Sequence, residues 1–174
     1  VAHDPLRHLL EAAQEGDDTA LRALIEATSP SVRRLCRALG SEDTADDLAQ
    51  ETYLRAMRAI GDYRGEAPVR AWLLAIARNV CVDDVRRRTR DRRVVERVAQ
   101  QPVGEATGPT PVGDLLASVD PDRLEAFVLT QIVGLSYAEA AHLLGCPIGT
   151  IRSRVARARV ELAAAVEGAV LVIR

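Results

Sequence analysis

The feature that most limits how this chain can fold is a break just past its middle. Gln100 to Gly113 reads QQPVGEATGPTPVG, with three prolines and three glycines and little that could pack. That composition suits a tether rather than a structural element. Before it, apolar residues return at helical spacing: Leu6, Leu9 and Leu10, then Leu21, Leu24 and Ile25, then Val32, Leu35 and Leu39. Alternating runs rich in β-branched residues are absent, apart from the short apolar tail Val170-Leu171-Val172-Ile173. The expected fold class is therefore all-α, as two small helical domains joined by a flexible linker. The boundaries are 1–98, 99–113 and 114–174. Each part of a 174-residue chain divided this way is near the lower limit for folding alone.

Within the first part, Ser29-Pro30 and Gly40-Ser41 are expected to punctuate the early helices. A further helix is expected from about Thr44 to Ile60, with Thr44 as N-cap and Leu48, Ala56, Met57 and Ile60 facing inward. Another is expected from about Val69 to Arg97, and four helical pieces from Asp114 onward. No apolar run reaches the roughly 18 residues of a membrane span, so no membrane insertion is expected. Val1 to Leu10 lacks a basic stretch followed by an apolar one, so no secretory signal is expected either. Cys36, Cys81 and Cys146 are odd in number and widely spaced, which argues against a disulfide framework and for a reducing, cytoplasmic compartment. His142 and Cys146 stand i, i+4, but two ligands without a third suit core packing better than a metal. No cofactor or metal is expected.

Charge adds what the total hides. The net is −2, yet residues 52–100 carry twelve arginines against six acids, and 147–174 carry five against two. Residues 1–51 and 101–146 are acidic. Two basic blocks separated by acidic ones point to two surfaces for a polyanion and others for different partners. Every basic residue is Arg, whose planar fork of donors suits phosphates and guanine edges.

The most specific segment is GLSYAEAAHLLGCPIGTIRSRVARAR, Gly134 to Arg159. Ser136 and Glu139 form a capping box, Ala138, Ala141 and Leu144 a small-residue face, and Gly145 a left-handed stop. Pro147 fits a first helical turn. Ile151, Val155, Ala158 and Leu162 then make one buried stripe. The remaining face shows Gly149, Thr150, Arg152, Ser153, Arg157 and Arg159, with no acid before Glu161. A short helix, a glycine turn and a basic second helix are the parts of a DNA-reading helix-turn-helix. This stretch resembles the C-terminal promoter-binding module, σ4, of bacterial sigma factors of the extracytoplasmic-function (ECF) group. The resemblance implies that Gly149, Thr150, Arg152, Ser153, Arg154 and Arg157 contact the −35 element.

The segment DDLAQETYLRA, opening at Asp46, places acids at the positive end of a helix dipole. Asp47, Gln50, Glu51 and Leu54 share an outward face. On physical grounds alone they serve equally well as helix-start stabilisers or as an acidic docking surface. The segment is similar to the σ2 stretch that binds the β′ clamp coiled coil of RNA polymerase, which implies docking by these four. Tyr63 to Arg93, YRGEAPVRAWLLAIARNVCVDDVRRRTRDRR, resembles the part of σ2 that recognises and opens the −10 element. Its arginines form a track for a single-stranded backbone, and base extrusion costs a few kcal/mol that a protein pocket must offset. The resemblance implies −10 contacts by Asp62, Tyr63, Arg64, Arg78, Asn79, Arg86, Arg87 and Arg88. Trp72, in the apolar run WLLAIAR, is expected in the core rather than as a stacking platform.

The resemblance covers about 20–97 and 114–162 in the family's order. It implies a transcription initiation factor of the small two-domain type and not an enzyme. Implied partners are core polymerase, through its β′ clamp coiled coil and β flap, and promoter DNA. A further implied partner is an anti-sigma factor, unless the acidic segment before Pro147 folds σ4 back onto basic σ2. Two rival readings compete: a two-domain regulator that binds duplex DNA tightly without polymerase, and a nucleic-acid enzyme. The latter has only Asp83-Asp84, a lone acidic pair with no companion carboxylate motif for magnesium.

Overall fold

The computed structural model describes residues 4–99, 116 and 118–172, with side chains placed for 4–91, 116 and 118–167. The tether proposed over 99–113 lies outside the described residues, save Ala99, which still belongs to a helix. The side chains of Arg92, Arg93 and the apolar tail lie outside them too.

Among the described residues there are helices and no strand. Four helices form the N-terminal lobe: α1 (Arg7–Gln14), α2 (Asp18–Leu39), α3 (Ala45–Ala59) and α4 (Val69–Ala99). The C-terminal lobe holds α5 (Pro121–Phe127), a π-turn (Val128–Ile132), α6 (Tyr137–Leu144) and α7 (Ile148–Val172).

α2 begins where the Asp17 carboxylate accepts from the backbone N–H of Thr19 and Ala20, at 2.7 and 3.1 Å. It runs straight through Pro30, which the sequence reading placed at a break. A proline inside a helix costs about 3 kcal/mol. Here Leu24, Thr28, Val32, Leu35 and Cys36 are all buried on one stripe either side of it, and that burial outweighs the loss. Gly40 ends the helix because nothing larger fits: a Cβ there would stand 2.5 Å from the Leu48 side chain and 2.6 Å from the Cys36 carbonyl oxygen.

α2 packs against α1, α3 and α4, and α5 and α6 pack on α7. Leu10, Leu24, Ala56, Val69 and Leu73 form one buried cluster inside the N-terminal lobe, with half-buried Trp72 against it. The larger cluster ignores the lobe boundary. Val32, Leu35, Leu74, Ala77 and Val80 share it with Val128, Leu129, Val133, Ile151 and Val155. Contacts between α2 and the π-turn and between α4 and α6 make the joint. Buried hydroxyls within these helices are satisfied locally: Thr28, Thr52 and Thr130 donate to the carbonyls of Leu24, Leu48 and Ala126, each at 2.7 Å.

Candidate functional site

α3 follows a single 3₁₀ turn, Glu42–Thr44. Thr44 occupies the N-cap position but makes no capping bond, because its backbone is already helical; its hydroxyl pairs instead with that of Ser41 at 2.9 Å. Ala45, Leu48, Ala49, Thr52 and Ala56 point into the core, which turns Asp47, Gln50, Glu51 and Leu54 outward together. Met57 joins Leu54 on the outside, 41% exposed, where the sequence reading had it inward. Its i, i+3 spacing from Leu54 was the signal. Glu51 accepts from Arg55 Nε at 2.8 Å, and Arg55 NH1 reaches Asp83 on α4 at 2.9 Å. These carboxylates hold the Arg55 guanidinium above its ordinary pKa, Asp83 contributing most.

The residues expected at the −10 element divide into two groups. Asp62, Tyr63 and Arg64 lie in the connection from α3 to α4, which Gln14 stitches down by donating to the Ile60 carbonyl at 2.7 Å. The Tyr63 hydroxyl donates to the Ala67 carbonyl at 2.6 Å, and its ring lies 5.3 Å from that of Trp72, tilted by 59°. Burial is the main cause that raises the Tyr63 pKa. With Glu66 these residues line a cleft of about 470 Å³ whose far wall is His142 and Leu143 of α6. Arg78, Asn79, Arg86, Arg87 and Arg88 stand along α4. Asn79 and Arg86 are exposed. Arg87 bonds one oxygen of buried Asp84 at 2.7 Å, Arg88 pairs with the other, and Arg88 also reaches the Ser41 hydroxyl. Arg78 is turned to the other lobe. Its Nε and NH2 clasp the Glu125 carboxylate at 3.0 and 2.9 Å, and Arg70 donates to the Val133 carbonyl nearby.

In the C-terminal lobe both bonds of the capping box form: the Glu139 N–H donates to Ser136 Oγ at 3.2 Å, and the Ser136 N–H donates to Glu139 at 2.8 Å. Gly145 closes α6 at φ 62°, the left-handed region. Ala140 and Ala141 are the buried small residues of α6, and Ala138 is exposed, contrary to the expected face. Losing the cap by Ser136→Ala should cost about 1 kcal/mol, visible as a melting temperature lower by a few degrees with α6 still assembled in the native state. Ile151, Val155 and Ala158 are fully buried on α7, with Leu162 half-buried behind them. Gly149, Arg152, Ser153 and Arg157 are exposed together, and half-buried Thr150 accepts from the Ser153 hydroxyl at 3.0 Å.

Arg154 does not join that face. It turns beneath the helix to pair with Asp122 of α5 and approaches Cys146 Sγ at 4.0 Å. Its number already said so: 154 is two positions from 152, on the side of 151, 155 and 158. Arg159 is likewise engaged, donating to the Gln131 side chain at 2.6 Å. Among the described residues no three of His, Cys, Asp or Glu gather as a metal site, and no helix is long and apolar enough to cross a membrane.

Residues 24–91 match the family model for sigma-70 region 2, and 111–162 match that for sigma-70 region 4. The chain is 43% identical over 163 residues to the ECF RNA polymerase sigma factor SigC of Mycobacterium tuberculosis, covering 90% of this chain and 88% of that one. It is 38% identical over 152 residues to EcfG of Rhodopseudomonas palustris, covering 83% and 84%. Two solved structures share the fold. CnrH, in complex with the cytosolic domain of CnrY, superposes with a TM-score of 0.74 at 31% identity, over 93% of this chain and 97% of that one. RpoE of Bartonella quintana, in complex with the anti-sigma factor NepR, superposes at 0.69 and 29% identity, over 84% and 96%. The chain thus belongs to the ECF group of sigma-70 RNA polymerase sigma factors, which are transcription initiation factors that direct polymerase to promoters and are not enzymes.

Proposed function

We propose that this sigma factor docks on core polymerase through the outward face of α3, with Asp47, Gln50 and Glu51 meeting basic residues of the β′ clamp coiled coil and Leu54 with Met57 supplying the apolar rim. Residues 1–98 act as σ2, 99–113 as the tether and 114–174 as σ4. Gly149, Thr150, Arg152, Ser153 and Arg157 read the −35 duplex, while Arg154 positions the recognition helix on α5. The α3–α4 connection and the arginines of α4 take the −10 element, and σ4 also meets the β flap. The cytoplasm is the compartment. The observation that carries this reading is the pairing, in one chain, of an acid-bearing helix face clear of the core with a capped helix-turn-helix whose exposed face is basic.

In the free protein the lobes cover each other. Arg78 cannot clasp Glu125 and a promoter phosphate with the same donors, and α6 stands across the cleft beside Tyr63 and Arg64. With a net charge of −2 the isolated chain is a poor DNA ligand. Polymerase would separate the lobes and set their spacing, so that two weak readers on one tether gain effective concentration. The fold-back rests mainly on shared apolar burial, with Glu125 of the acidic segment adding one ion pair. An anti-sigma protein, of the kind bound to the RpoE relative, would act on the same surfaces.

Run-off transcription with purified core polymerase on templates from the source genome tests the reading. Specific initiation supports it. Tight specific binding of duplex DNA by the free chain, without any response from polymerase, would replace it with the autonomous regulator. Arg152→Ala should weaken promoter binding by about 1–3 kcal/mol if the guanidinium reads a base. A filter-binding series decides: equal loss on unrelated duplexes assigns Arg152 to phosphate.

A further inference from the structure

The connection from α3 to α4 carries Asp62, Tyr63 and Arg64 between two glycines, Gly61 and Gly65, the second at φ 76°. Glycines give such a segment many conformations to lose. α1 and the turn before it hold it from outside along its whole length. At the near end, the Gln14 side-chain amide donates to the Ile60 carbonyl at 2.7 Å and to the Tyr63 carbonyl at 3.3 Å. In the middle, the Arg7 guanidinium lies over Gly65, where a Cβ would stand 3.0 Å from it. At the far end, Asp4 accepts from the Val69 N–H at 2.7 Å. Leu6, Leu9 and Leu10 pack in the same cluster as Ile60, Tyr63 and Val69.

These contacts differ in what they can do. Val69 and Leu10 are fully buried, so losing the Asp4 cap or the leucine packing would act on folding. Gln14 is exposed, and its two bonds end on main-chain carbonyls either side of Asp62. They set the direction of the backbone without adding to the core. A recognition loop that its ligand must order gives up binding energy to lost chain entropy, and one ordered beforehand does not.

We infer that Gln14 is a positioning residue for −10 recognition: it fixes the Ile60–Tyr63 backbone so that Asp62, Tyr63 and Arg64 meet the displaced strand in one arrangement. The inference rests on the assignment of these three residues to the −10 element.

The test uses holoenzyme formed from core polymerase and the full-length chain. Its templates are a promoter found by run-off transcription and the same promoter with one −10 base pair replaced. Permanganate reactivity of unpaired thymines reads opening, and the ratio between the templates reads −10 selectivity. The ordering cost falls on the intact element, where the connection is engaged, whereas a charge added to the protein acts on both templates alike. Gln14→Ala should lower the ratio about fivefold, with the melting temperature and the affinity for core polymerase as in wild type. Gln14→Lys, whose ammonium again donates to both carbonyls, should restore it. A ratio unchanged by Gln14→Ala, a loss that Gln14→Lys does not recover, or a loss of core affinity would each overturn the inference. A double variant, Asp62→Ala with Arg64→Ala, checks the assignment beneath it. If that variant keeps the wild-type ratio, the −10 reading of the connection fails. A lowered ratio there beside an unchanged one for Gln14→Ala sinks the positioning role alone.

Discussion

Glu51→Arg is expected to abolish promoter-directed RNA synthesis and to cut affinity for core polymerase by about 30-fold or more, while leaving the fold intact. The two halves of that expectation come from different magnitudes. Within the chain, Glu51 takes part in one i, i+4 pair with Arg55, both side chains about 40% exposed. Such a pair is worth about 0.3–0.5 kcal/mol, and a new Arg beside Arg55 adds repulsion of similar size, which the solvent screens. The buried face of α3, from Ala45 to Ala56, is untouched. Across an interface the same reversal removes an acceptor and confronts a basic partner with like charge, at a cost of about 2–5 kcal/mol. Equilibrium binding to core enzyme, run-off transcription and a thermal melt separate the two effects. Binding equal to wild type would refute docking through α3.

What the sequence made legible was local. The capping box at Ser136, the stop at Gly145 and the stripe Ile151, Val155, Ala158 are each encoded within a few residues, and each takes the form that its chemistry dictates. The same holds for the inward and outward sides of α3, apart from Met57. Features that depend on distant partners were not legible. Nothing near Val69 announces that its N–H, at the start of α4, is capped from 65 residues away by the Asp4 carboxylate at 2.7 Å. Pro30 reads as a breaker until the burial flanking it is known. Arg78, Arg87 and Arg88 read as one basic track, yet Glu125 diverts the first and buried Asp84 gathers the other two. The joint between lobes is of this kind as well. Its π-turn and its apolar partners on α2 lie roughly a hundred positions apart, and no periodicity in either segment distinguishes a residue that packs within its lobe from one that packs across.

That joint makes the second large effect predictable. Glu125→Arg should raise the share of open molecules in the free protein. Glu125 is 14% exposed and holds Arg78 through two bonds, so the pair is largely withdrawn from solvent. Charge-assisted bonds of this type contribute about 1.5–3 kcal/mol, and two guanidinium groups facing each other in the same place repel. A penalty of about 2 kcal/mol or more shifts the closed-to-open ratio by roughly 30-fold. The apolar surface around Leu129 and Val133 still favours closure, so the lobes should exchange rather than separate for good. Small-angle scattering at low salt should show a larger radius of gyration than wild type, and the free variant should bind −10 single strands more tightly because Arg78 is released. The reversal also raises net charge by two, which alone strengthens DNA binding. Glu167→Arg, at an exposed position on α7, makes the same change in charge away from the joint and should leave the scattering unaltered. Should Glu125→Arg scatter as wild type does, apolar packing alone holds the lobes closed, and release of the −10 surface must be driven by polymerase against that packing rather than against the Arg78 ion pair.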